Sequence, residues 1–222
     1  MTHYRPDDVP ARLRYNLLIG AIVPRPIAVV GTVSPAGAFN LAPFSFFNAF
    51  AADPMMLGFA PGNNARGDEK DTLRNCKPRW EGGTGVFTVS IATEANIKRV
   101  VGAAEELPYE ESEFDLTGLT PTASLEVAAP RVAESPISFE CETFNVMRFG
   151  QGKPGAGNLV IGRVVCFHID GPLVHERMHV DPELLRAVGR MSGITYTRTR
   201  DRFDVPLGRA ALTAKIMGEW LD

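Results

Sequence analysis

Three polar side chains, Asn40, Ser45 and Asn48, sit in an otherwise apolar setting within residues 24–48, PRPIAVVGTVSPAGAFNLAPFSFFN. Buried amides and hydroxyls need hydrogen-bond partners, so each must find backbone, water or a ligand. Pro43 lies among them and removes one ladder donor, which frees neighbouring groups to point elsewhere. Further along, Lys70-Asp71-Thr72 stands at the expected start of a helix. A helix start offers free N–H groups and partial positive charge. With an ammonium and a hydroxyl added, this arrangement suits a phosphate. The same residues also fit an edge strand with turn polar groups beside an ordinary capped helix.

Other chemical patterns are weaker. The histidines are His3, His168, His175 and His179, and His175-Glu176-Arg177-Met178-His179 fits the letters H-E-x-x-H. On a helix the two histidines would share a face and could bind zinc. Pro172 before them and Asp181-Pro182 after them leave about two turns, so a polar surface connector is expected and no metal site. Neither GxSxG nor GxxxxGK[ST] occurs. The stretch GQGKPGAGN at 150–158 lacks the strand–helix frame of a dinucleotide fingerprint and reads as a mobile hairpin connection that could cover a ligand. No catalytic acid, base or nucleophile set emerges.

Residues 24–48 resemble the opening motif of the flavin-reductase-like, FMN-binding split-barrel family, which includes flavoredoxins. The resemblance continues through KDTLRN at 70–75, VFTVSI at 86–91 and FDLTGLTPTAS at 114–124. It goes on through APRVAESPISFECE at 129–142, NLVIGRVVCFHID at 158–170 and VGRMSGITYTRTRDRF at 188–203. It covers nearly the whole chain, in order. It implies a mainly β (α+β) fold, a six-stranded antiparallel split β-barrel of Greek-key type with short flanking helices. It also implies bound FMN and a homodimer.

By the same resemblance, Thr32, Val33 and Ser34 border the flavin. Asn40, Leu41 and Ala42 offer polar atoms along the ring edge and ribityl chain. Ser45 and Phe46 lie toward the ribityl and phosphate end, with Phe47 and Asn48 closing it. Lys70, Asp71 and Thr72 hold the phosphate. Arg25, between two prolines, is a further candidate and equally fits a surface charge at a loop. His168 fits a satisfied barrel histidine or a flavin contact. In the tail, Met191-Ser192 departs from the family's usual GRxGGxxY-like ending, so Arg190 and Tyr196 are open between the flavin and the dimer seam.

The elements that must position these groups can be read locally. Residues 11–20 suit a short helix. Ile27 to Val33 is a β-branched strand, Ser34-Pro35-Ala36-Gly37 a turn, and Phe39–Phe47 a second extended piece. Met55–Phe59 and Val86–Ile91 are short strands. Asp71 is expected to cap a helix from Thr72 to Cys76, and Thr93 one through Ala104. Residues 105–124 read as a long loop, with Glu105–Glu113 a solvated acidic run. Phe139–Phe149 and Leu159–Ile169 are long strands. Asp181-Pro182-Glu183 opens a helix to about Val188, and the tail shows little periodicity. With no βαβ alternation, a Rossmann or flavodoxin fold is disfavoured.

Composition bounds the rest. The chain has 222 residues, 45% hydrophobic and 22% charged, and no repeat or linker, so residues 1–222 are expected to form one domain. A net charge of −3 without a basic cluster gives no field for nucleic acid. No apolar run suits a membrane span and no signal peptide is apparent. Three scattered cysteines fit a reduced, cytoplasmic protein. The expected function is an enzyme moving electrons from NAD(P)H through bound FMN to a flavin or other acceptor. The alternatives are a non-enzymatic FMN electron carrier like flavoredoxin and, third, a zinc hydrolase using His175 and His179.

Overall fold

Strand β1 (Ala28–Val33) serves two interiors at once. With Ile27 just before it, Val29 packs against Leu41, Val100, Phe114 and Val132. Ala28 and Val30 turn the other way, toward Leu57, Phe59, Phe87 and Val160. Successive side chains on a strand point to opposite faces, so a strand buried on both must read as one apolar run. Gly31 belongs to the same logic, because a Cβ there would lie 2.2 Å from the carbonyl oxygen of Pro130.

The computed structural model describes residues 1–213. Helix α1 (Ala11–Ala21) precedes β1, and β2 (Phe39–Phe44), β3 (Phe47–Ala52) and β4 (Met55–Phe59) follow it. Next come α2 (Asp71–Cys76), β5 (Val86–Ile91), α3 (Ile97–Gly102) and α4 (Glu113–Thr117). The short pair β6 (Pro121–Thr122) and β7 (Arg131–Val132) leads to the long strands β8 (Ile137–Arg148) and β9 (Asn158–Ile169). Helix α5 (Pro182–Leu185) and the ladder of β10 (Val188–Arg190) with β11 (Tyr196–Arg198) follow, and a short 3-10 helix at Gly208–Leu212 comes last among the described residues.

The main sheet has seven strands, not six, in the order β2-β1-β5-β8-β9-β4-β3, and every neighbouring pair is antiparallel. The extra strand is β3, Phe47–Ala52, which lies almost wholly beyond the expected Phe39–Phe47 piece. The chain breaks at Ser45-Phe46, and β2 before the break and β3 after it form opposite edges of the sheet. A flat seven-stranded sheet would be about 29 Å across. Three Cα steps from Phe44 to Phe47 reach about 11 Å at most. The sheet must therefore roll until its edges approach, which makes a split β-barrel. The second core cluster fills it, and the first lies outside under α3 and α4.

Several local expectations shift. Lys70 is the N-cap of α2 and Asp71 its first residue, paired with Arg74 at 3.2 Å. Helix α3 begins only at Ile97, because the Asn96 side chain accepts the Thr93 N–H. Helix α4 interrupts the expected 105–124 loop; Ser112 caps it and left-handed Gly118 ends it. Asp181 caps α5 as its sequence implies, accepting from the N–H groups of Glu183 and Leu184, but left-handed Arg186 stops that helix early. The two tail strands lacked a periodic signal because each has three residues.

Glu140 is fully buried on β8. Its carboxylate accepts from the N–H groups of Leu125, Glu126 and Val127 and lies 2.5 Å from His168 Nε2. His168 is thus a satisfied barrel histidine. Burial alone would raise the Glu140 pKa, but these donors together hold it below the usual carboxylate range. A carboxylate depressed in the folded state contributes stability above its unfolded pKa of about 4.3, and that contribution fades as pH falls through the folded value. Replacing Glu140 with Gln is expected to cost about 2–3 kcal/mol at neutral pH, the scale of one or two weakened charge-assisted bonds. Urea titrations at pH 7 and pH 3 check this, and the gap between variant and parent should narrow at the lower pH.

Candidate functional site

Two cavities open beside β2. The first, of about 510 Å³, is lined by Asn40, Ala42, Pro43 and Phe44 and by the start of α2. The second, of about 550 Å³, is lined by α1, Arg25, Ser45, part of α3 and the β10–β11 hairpin. Pro43 and Ala104 belong to both walls. Ligand sites of this size are ordinary for cofactors and small substrates.

A polar hub sets the first cavity. Asn40 Nδ2 donates to Thr32 Oγ1 and to Thr72 Oγ1, each at 3.1 Å. Asn75 Nδ2 donates to the same Thr32 oxygen at 3.1 Å, and Tyr109 donates its hydroxyl proton to Asn75 Oδ1 at 2.9 Å. The hub locks α2 onto β1 and β2 and ties the segment after α3 to it. The Arg74 guanidinium lies 3.7 Å from the Tyr109 ring centre, a cation–π contact that closes one side. Glu113 is buried, and its Oε2 accepts the Leu41 N–H at 2.7 Å, so it plugs the free edge of β2. Burial pushes the Glu113 carboxyl up, against the pull of that N–H.

The cavity carries Arg66, Lys70, Arg74 and Lys77 together with several acids. Arg66 pairs with Asp68 at 3.2 Å and Lys77 with Glu69 at 2.9 Å. Lys70 has no ion-pair partner among the described residues, so its ammonium is uncommitted. Burial also pushes the Asp71 carboxyl up, against the nearby Arg74.

Arg25 builds the second cavity. Its Nε donates to Ser45 Oγ at 3.3 Å, its Nη1 to the carbonyls of Ile19 and Ile22, and its Nη2 to that of Met191 at 2.9 Å. One guanidinium thus joins the end of α1, the β2–β3 bend and a tail loop 166 residues away. The backbones of Arg25 and Arg190 bridge as well. These contacts make Arg25 a clamp, with most of its donors committed to protein.

The residues singled out in the sequence separate into groups. Asn40, Ala42, Lys70, Asp71 and Thr72 line the first cavity, and Arg25 and Ser45 line the second. Thr32, Val33, Ser34, Leu41, Phe46, Phe47 and Asn48 line neither. Thr32 supports the hub, Ser34 closes the β1–β2 turn by accepting the Ala38 N–H, and Leu41 lies in the core. Phe46 stacks near Tyr15, Phe47 packs on the barrel core, and Asn48 is exposed. Arg66, Arg74, Tyr109 and Glu113 were missed. Only Arg74 carried a signal, one helical turn beyond Lys70.

The His175–His179 segment is not a zinc helix. Arg177 and Met178 have positive φ, and His175 Nε2 pairs with Asp181 at 3.0 Å. Glu140, Cys166 and His168 place donor atoms within 4.8 Å of one another. The Glu140 oxygens already serve three N–H groups and the imidazole, and Arg131 sits 3.9 Å away.

The family model of the flavin reductase like domain matches residues 20–184. The chain belongs to the flavin-reductase-like family. An uncharacterised protein of Halalkalibacterium halodurans is 40% identical over 202 residues, covering 90% of this chain and 93% of its own. The crystal structure of nitrilotriacetate monooxygenase component B from Bacillus cereus is 34% identical, with a TM-score of 0.85 over 92% of this chain and 98% of that one. The 2-nitrobenzoate 2-nitroreductase NbaA of Pseudomonas fluorescens is 28% identical, with a TM-score of 0.81 over 94% and 97%. This family member thus has the split barrel and two adjoining cavities.

Replacing Arg25 with Met removes the donor from the buried Ile19 carbonyl and from the partly buried Ile22 and Met191 carbonyls. Stability should fall by about 3 kcal/mol, the scale of losing charge-assisted bonds in a buried site. Limited proteolysis should then cut near α1 first, and an unchanged digestion pattern would remove Arg25 from the clamp role.

Proposed function

We propose that this protein is an FMN-binding oxidoreductase that takes electrons from NAD(P)H and passes them to a flavin or other acceptor. The observation that carries this reading is the first cavity, where uncommitted Lys70 stands with Arg66, Arg74 and Thr72 in a chain of the flavin-reductase-like family. When bound, FMN supplies the two-electron chemistry, and the protein supplies binding and orientation. Lys70, Arg66 and Arg74 suit a phosphate dianion, with the Thr72 hydroxyl beside them. Ala42, Pro43 and Phe44 give an apolar wall for a flat ring. The segment from Ala103 to Tyr109 forms a further wall of the site. A catalytic acid or base is not required of this chain.

The second cavity supports the enzyme over a pure electron carrier, because it leaves room for another reactant across Pro43. The monooxygenase component from Bacillus cereus supports delivery of electrons to a partner reaction. The whole chain, residues 1–222, is read as one domain working in the cytoplasm. Among the described residues no helix is long and apolar enough to cross a membrane.

A homodimer belongs to the same reading. Strand β3 is an edge strand of sequence FNAFAA with nearly every residue exposed. Phe50 is 55% exposed, and Phe144 and Phe149 stand out at 67% and 66%. An unpaired strand edge and large exposed aromatics suit an interface. Of the aromatics at 44–50, Phe44 and Phe47 pack against the barrel core, and the exposed Phe46 and Phe50 are available to a partner. Sedimentation at micromolar concentration should show twice the mass of one chain. A single-chain species that retains flavin would remove the dimer.

The purified protein should be yellow, release FMN on extraction, and bleach anaerobically with NADH or NADPH. Lys70→Ala should weaken FMN by about 1.5–3 kcal/mol and leave riboflavin, which lacks the phosphate, nearly unchanged. Fluorescence titration of both ligands distinguishes the outcomes, since equal losses would place Lys70 away from the phosphate.

A further inference from the structure

We propose that the second cavity is a binding site for a small aromatic carboxylate. Its lining includes two guanidinium groups, Arg25 and Arg190, and no aspartate or glutamate. Neither arginine has an ion pair among the described residues. The first cavity is different, because most of its cations face acids of their own. A concave space with two positive charges and no negative one favours an anion. Burial lowers the Arg25 pKa, and the neighbouring Arg190 charge adds to that, against Tyr15. An anion would relieve this repulsion.

The two arginines play separate parts. Arg25 is committed to Ser45 and three carbonyls and contributes mainly its field. Arg190 is held by the Tyr196 hydroxyl and the Gly193 carbonyl, with its guanidinium 4.5 Å from the Tyr196 ring centre. Its remaining N–H groups have no protein acceptor among the described residues. A fixed planar fork of this kind matches a carboxylate in two-point contact. Ser45 Oγ already accepts from Arg25, which leaves its proton for a ligand oxygen.

The rest of the wall selects the body of the ligand. Ile27, Val100 and Ile97 are apolar, and Tyr15 and Tyr196 present aromatic surface. Inorganic phosphate would leave this surface unused, whereas a benzene ring would cover it. The cavity adjoins the first at Pro43 and Ala104, so the acid would be the molecule next to the flavin. That placement rests on the flavin reading, but the anion site itself does not.

Calorimetry on the full chain, as purified, tests the proposal with benzoate and its neutral counterpart benzamide. Benzoate should bind at least roughly tenfold more tightly, since benzamide lacks the charge for Arg190. Arg190→Gln should erase the difference. Arg190→Lys, which keeps the charge and loses the planar fork, should retain only part of it and serves if the first variant is unstable. Equal binding of the two compounds, or unchanged benzoate affinity in both variants, overturns the site. The titration is repeated with FMN added and after flavin removal. Mutually exclusive binding would assign the cavity to the flavin and overturn the proposal. Benzoate binding in a protein that never takes FMN would uphold the site while sinking the flavin reading.

Discussion

Phe44 and Phe47 stand on opposite edges of one sheet yet are three steps apart in the chain. Everything else accommodates this constraint. The sheet rolls until its ends approach, and the Ser45-Phe46 bend bridges the split. The Ala60 N–H donates to the Phe46 carbonyl and pins the bend to the end of β4. Both cavities flank the strand that enters this bend, so the closure of the barrel and the placement of the site are one event.

The split also explains why a buried arginine is present. A barrel edge that leaves hydrogen-bonding groups unpaired needs cover. Glu113 covers one point of β2 through the Leu41 N–H, and Arg25 covers the bend through Ser45. The two caps come from distant parts of the chain, α4 and the irregular segment leading to β1. One is an acid beside the first cavity and the other a base within the second. The electrostatic contrast between the cavities therefore follows from how the seam is closed.

Much of the fold was legible because its strands carry strong local patterns. Met55–Phe59 and Val86–Ile91 emerged with the bounds read from sequence, since each is short, apolar and bounded by turn residues. The end of β2 at Phe44 and the separate strand Phe47–Ala52 were not legible, because the apolar run continues across Ser45-Phe46 and only tertiary closure separates the two strands. Asn40 was legible as a polar group needing partners, and Lys70 and Thr72 as groups at a helix start suited to a phosphate. That Thr32 and Asn40 serve a hub joining strands to helix was not, because the hub links residues up to 43 positions apart. Arg25 was ambiguous for a related reason: an arginine between prolines looks like a loop charge until Met191 and Ile19 are brought to it.

The β10–β11 hairpin has a consequence for the order of assembly. All seven strands of the barrel are contained within residues 28–169, but Arg190 and Tyr196 arrive only after α5. On the ribosome the barrel has its full complement of strands before the last wall of the second cavity emerges. Until then Arg25 lacks its Met191 acceptor and the cavity stands open. A nascent chain can thus acquire its scaffold before the last wall of the second cavity, so the barrel does not depend on that wall to form.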